Sequence, residues 1–146
     1  MWTAEAVLVC ALSLLGRGIA SFPPIDLVAT VPADVSPAAE AFVRINTGRI
    51  SLVTTSSTFR RLREARDQCS DTMAARKLAS ILVHEETHVK QGADEKNAYA
   101  AQLTTLTALG SGIGSPPYQE VVRAMRVTLS LRRPAPERVM VIASGS

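Results

Sequence analysis

Both histidines of the 146-residue chain fall within one stretch of five residues, His84-Glu85-Glu86-Thr87-His88. On a helix, side chains at i and i+4 stand one above the other. His84 and His88 can then each place one ring nitrogen at about 2.0–2.1 Å from a single zinc ion. Glu85 points to the side where a metal-bound water would lie. There it serves as general base, while zinc lowers the pKa of the water.

Two imidazoles do not complete a catalytic zinc site, which usually has three protein ligands and an open position. The next acidic residues are Asp94 and Glu95. Gly92 lets the chain leave the first helix and turn back. Glu95 then falls in the first turn of a second helix. It heads a face shared by Ala98, Tyr99, Gln102, Leu103, Leu106 and Leu109, the face expected against the first helix. Asp94 falls at the expected N-cap. This favours Glu95 as third ligand and leaves Asp94 as the alternative, with capping or a hydrogen bond to a ligand histidine as its other roles. Tyr99 is a further candidate, as donor to the oxyanion of a tetrahedral intermediate, with plain packing as the competing role.

The elements that must position these residues can be read from periodicity. Thr72 to about Gln91 predicts a long helix on which Leu78, Ile81, Leu82, Glu85 and His88 share a stripe, with His84 adjoining. A carboxylate and imidazoles continuing an apolar stripe are costly to bury unless something pairs with them, and a metal ion does so. Glu86 and Lys90 are expected to face solvent. Asp94 to about Leu109 predicts the second helix. A third should start at Ser115-Pro116, with Tyr118 packing in its first turn, and stop after Arg133, before Pro134.

Upstream, Ala4 to Leu15 reads as an apolar helix ending at Gly16 and Gly18. Ser21 to Pro37, with Pro23, Pro24, Pro32 and Pro37, reads as an extended connector. Ser36-Pro37 then predicts a short helix over Ala38 to Val43. Ile50 to Thr55 is the best strand, expected to keep a free edge that forms the lip of a cleft. Thr58 should cap a basic helix from Phe59 to about Asp67. Val139 to Ala143 is one more strand or a loose end. The reading is one domain over 1–146, α+β and mainly helical, with a small edge sheet packed on the metal-binding helix and a metal-binding core at about 50–110.

Composition is that of a globular domain: 47% hydrophobic, 20% charged and only 4% aromatic. The net charge of +3 is modest. Arg60, Arg61, Arg63 and Arg66, and Arg123, Arg126, Arg132 and Arg133, form two clusters with no interleaved aromatic platform. They read as solvated helix faces, and no nucleic-acid partner is expected. Cys10 and Cys69 match no metal spacing and read as small buried hydrophobes. The apolar run Val7 to Leu15 is too short to span a bilayer. It also lacks the basic flank of a signal peptide, with Glu5 in its place. A cytoplasmic location is expected, with secretion the lesser reading.

From Ile50 to Gly110 the sequence resembles the small gluzincin-type zinc metallopeptidases of bacteria. In that group a strand and a helix precede an H-E-x-x-H helix, and the following helix carries a Glu-x-x-Ala motif. The matching residues are Ile50-Ser51-Leu52-Val53, His84-Glu85-Glu86-Thr87-His88, and Glu95-Lys96-Asn97-Ala98 followed by Tyr99. The resemblance covers under half the chain and implies a zincin-like minimal domain. It implies zinc held by His84, His88 and Glu95, Glu85 as base, and a substrate peptide paired along the strand edge. Only six residues separate His88 from Glu95, where the larger gluzincins have a long insert. A metzincin pattern would make Asp94 the third ligand, but it needs glycine at Gln91, and the glycine here is Gly92.

The expected function is therefore zinc-dependent hydrolysis of a peptide bond in a peptide or protein substrate. The alternative is a non-catalytic zinc-containing domain that binds a partner.

Overall fold

Thr3 accepts a hydrogen bond from the Ala6 amide and so starts α1 (Ala4–Leu15), which left-handed Gly16 ends. The computed structural model describes residues 1–131 in full, and the backbone alone of 141–145. After α1 come β1 (Ile25–Val28), β2 (Ala39–Arg44), β3 (Arg49–Val53), α2 (Ser57–Arg63), α3 (Thr72–Gln91), α4 (Glu95–Ala108), α5 (Pro116–Leu131) and β4 (Val141–Gly145). The protein is α+β and mainly helical. Among the described residues, no helix is long and apolar enough to cross a membrane.

The four strands lie in the order β1-β3-β2-β4. β3 pairs with β1 in parallel, Ile25 opposite Ile50, and with β2 antiparallel, Ala41 opposite Leu52. β4 runs antiparallel along the other side of β2. One face of the sheet, with Ala41, Val43, Ile50 and Leu52, packs on Leu78 and Leu82 of α3, Phe59 of α2 and Leu8 of α1. That buried layer holds α3, which carries His84, Glu85 and His88, against the sheet and gives it a rigid seat.

Four expectations about this half of the chain need correction. Ala38 to Val43 is not a helix: Ala39–Arg44 is strand β2, buried on both faces between β3 and β4. Proline after serine resembled a helix start, but the pairing available on either side overrode it. β3 keeps no free edge, because β1 covers one side and β2 the other. β1 lay unread in the proline-rich connector, and its four residues carry too short a pattern to stand out. Cys10 and Cys69 are not separate buried thiols but a disulfide, with Cα atoms 5.4 Å apart. It ties α1 to the loop after α2, a long-range pairing that no spacing rule detects.

Two smaller differences follow from capping and charge. α2 is capped by Ser56, whose side chain accepts from the Phe59 amide, and ends at Arg63. Thr58 is buried inside it, and its amide points to Glu40. Glu86 does not face solvent but is buried against Arg17, while Lys90 is exposed and reaches back to it. Arg60, Arg61, Arg66, Arg123 and Arg126 are exposed and Arg63 half-buried, while Arg132, Arg133 and Pro134 lie outside the described residues. β4 begins two residues later than the strand read at Val139, and residues 139 and 140 likewise lie outside the described set.

Candidate metal centre

α3 spans the 20 residues the periodicity predicts, with Asp71 capping it through the Ala74 amide. His84, Glu85 and His88 therefore sit in its last two turns, continuing the stripe of Leu78, Ile81 and Leu82, and all three are 0% exposed. Gly92 ends the helix at φ 92° and ψ −160°, a conformation open essentially to glycine alone. The turn sends the Gly92 carbonyl back to His88, whose Nδ1 lies 2.9 Å away. A carbonyl only accepts, so Nδ1 carries the proton and a neutral His88 ring presents its lone pair at Nε2.

The chain then enters α4 through Asp94, which is exposed and accepts from the Lys96 and Asn97 amides. Capping occupies Asp94, whereas Glu95 turns inward. Glu95 Oε1 lies 2.6 Å from His88 Nε2 and 3.1 Å from His84 Nε2, and the two Nε2 atoms are 3.2 Å apart. Glu85 Oε1 is 3.7 Å from His84 Nε2. Ligand-type atoms of His84, Glu85 and His88 all fall within 4.8 Å of one another. Glu95 approaches both imidazoles more closely than Glu85 approaches His84.

The electrostatics follow from burial and pairing. Burial pushes the Glu95 carboxyl up, but the hydrogen bonds and charge of His84 and His88 outweigh it and bring its pKa down to about 2. Burial holds His84 below the usual histidine range, against the opposing pull of Glu95. An ionised carboxylate and a neutral imidazole are the states in which these groups serve as metal ligands.

The donor set fits zinc. It offers two imidazole nitrogens and one carboxylate oxygen. Ligand atoms at about 2.0–2.1 Å from a tetrahedral ion would stand about 3.3 Å apart. The observed separations of 3.2, 3.1 and 2.6 Å bracket a point that such an ion reaches with small side-chain shifts.

Tyr99 packs its ring edge against His84, with centroids 4.5 Å apart. Its hydroxyl lies 3.1 Å from Thr128 Oγ1 on α5. Burial pushes the phenol up to about 12, and the charges of Glu95 and Glu85 add to this against the Thr128 hydrogen bond. Tyr118 is half-buried against the Tyr99 and Leu106 cluster. Sequence reading missed three supports: the Gly92 carbonyl, the Gln102 amide 2.8 Å from His84 Nδ1, and Arg17 on Glu86. Gln102 did carry a signal, as a polar residue in the inward stripe of α4.

Comparison of the chain with protein-family models, curated proteins and solved structures finds no match. The reading of the site thus rests on its own geometry.

Proposed function

We propose that the domain is a zinc-dependent hydrolase of the peptide bond, akin in its site to the small gluzincin-type metallopeptidases. The observation that carries this is the convergence of His84 Nε2, His88 Nε2 and Glu95 Oε1 within 3.2 Å of one another, with Glu85 alongside. His84, His88 and Glu95 would hold the ion. Bound there, zinc would supply a Lewis acid at neutral pH. Glu85 would take a proton from the attacking water and pass it to the leaving amine. Gly92 and Asp94 act earlier in the chain of causes: the turn and the cap fix where Glu95 enters.

One observation favours a second reading. His84, Glu85 and His88 are wholly buried, so a peptide reaches Glu85 only if some covering segment moves. A closed site is the form that structural zinc takes. The second reading is thus a non-catalytic zinc-containing domain. Metal analysis joined to a screen on an unbiased peptide library separates the two. The expected result is one zinc per chain and hydrolysis that Glu85→Gln abolishes while zinc stays. Zinc without hydrolysis in either protein would establish the second reading. No zinc after metal-replete purification would overturn both.

A further inference from the structure

We infer that Gln102 is a positioning residue for the zinc site, fixing His84 with its proton on Nδ1 and its lone pair on Nε2. The inference rests on the zinc reading and adds the device that orients the first ligand. It comes from a buried hydrogen-bond chain between α3 and α4. Ser80 Oγ donates to the Lys77 carbonyl at 2.6 Å. A hydroxyl has one proton, so towards Gln102 the Ser80 oxygen can only accept. Gln102 Nε2 lies 3.2 Å from it and donates. The Gln102 amide is thereby oriented, and its Oε1 is left facing His84 Nδ1 at 2.8 Å. An oxygen acceptor requires Nδ1 to carry the proton. Nε2 of a neutral ring then presents its lone pair to the point shared with His88 and Glu95.

His84, Ser80 and Gln102 are all buried, so water does not substitute for a lost partner. Gln102 stands seven residues after Glu95, two turns along the same inward face of α4. That face supplies three things to His84: the Glu95 carboxylate, the Tyr99 ring and the Gln102 acceptor. An imidazole free to take the other tautomer would put a proton where the ion belongs. Partners of this kind typically change metal affinity by about 10–100-fold when removed.

The test uses Gln102→Leu, Gln102→Glu and Ser80→Ala in the full chain. Zinc affinity is read by competition with a chelator, and imidazole protonation by long-range ¹H–¹⁵N spectra of the zinc-free and zinc-loaded proteins. The wild type should show a protonated His84 Nδ1 in both states. Gln102→Leu should bind zinc about 10–100-fold more weakly. Gln102→Glu keeps an acceptor at Nδ1 and should recover most of the loss. Ser80→Ala, a small change should the leucine variant fail to fold, frees the amide to turn over and should weaken zinc by a smaller factor. Unchanged affinity in both Gln102→Leu and Ser80→Ala, or an unprotonated His84 Nδ1 in the wild type, would overturn the inference. A protein that binds no zinc but keeps a protonated Nδ1 dependent on Gln102 would sink the zinc reading and leave the positioning role standing.

Discussion

Arg17, just beyond α1, holds Glu86 of α3 with two hydrogen bonds of 2.7 and 2.5 Å, from its Nη1 and Nη2 to the two carboxylate oxygens. Its guanidinium also lies 3.7 Å from the centre of the Phe22 ring. Glu86 is the residue after the proposed base, so the pair anchors the turn of α3 that carries the candidate ligands to the N-terminal segment.

That pairing makes stability depend on pH with a definite sign. Burial raises the Glu86 carboxyl, but the hydrogen bonds to Arg17 and Lys90 bring it below its ordinary value. A carboxylate depressed in the folded state stabilises above its unfolded pKa, and the contribution is lost as pH falls through the folded one. Glu86→Gln should therefore cost about 1–2 kcal/mol at pH 7, the worth of a charge-assisted bidentate pair that is partly buried. Urea denaturation should show wild type and variant converging as the pH falls through the depressed pKa of the folded state. A difference that persists there would mean that packing, not charge, is lost.

The assignment of Glu95 over Asp94 predicts opposite phenotypes for adjacent residues. Glu95→Gln should lose most zinc affinity, because the neutral amide replaces a carboxylate between two imidazoles. Asp94→Ala should keep zinc and lose about 1 kcal/mol of stability, the usual cost of an N-cap. Chelator competition and thermal unfolding, run on both variants, read the two effects separately. In the wild type, chelation should lower the Tm, because an ion that binds only the folded state stabilises it.

How far the sequence could be read follows from how local each signal is. α3 and the inward turn of Glu95 were legible because helix period, a glycine stop and an aspartate cap all lie within one stretch of chain. β1 and β2 were not, because their identity depends on partners far along the sequence: β2 is a strand because β3 and β4 flank it. The disulfide and the Arg17 to Glu86 pair join residues 59 and 69 positions apart, and no local pattern announces them. The role of Gln102 was half visible, since its face could be placed but its hydrogen-bond partner could not.

The disulfide should contribute measurably. Closing a loop of 59 residues is worth about 4 kcal/mol in the chain-entropy picture, less any strain. Reduction, or Cys10→Ser with Cys69→Ser, should lower the Tm by several degrees, and α1 should be the first segment to gain amide exchange. Thiol titration of the unfolded, unreduced protein should find no free thiol. A full complement of thiols in protein matured in an oxidising compartment would show that the bond does not form.

Tyr99 offers the sharpest separation of packing from catalysis. Its ring lies edge-on to His84, and its hydroxyl is engaged by Thr128 on α5. With its pKa pushed up to about 12, the phenol stays protonated and would act only as a neutral donor. A packing role predicts that Tyr99→Phe keeps the ring against His84, keeps zinc and keeps kcat. It should cost about 1 kcal/mol of stability for the lost hydrogen bond. Thr128→Val should cost a similar amount, and the double variant little more than either alone, because both remove the same bond. An oxyanion role predicts instead that Tyr99→Phe lowers kcat and kcat/KM together with zinc content and fold intact, while Thr128→Val leaves kcat unchanged or raises it by freeing the hydroxyl. Steady-state kinetics on the two single variants therefore decides the matter: a kcat loss confined to Tyr99→Phe would overturn the packing role.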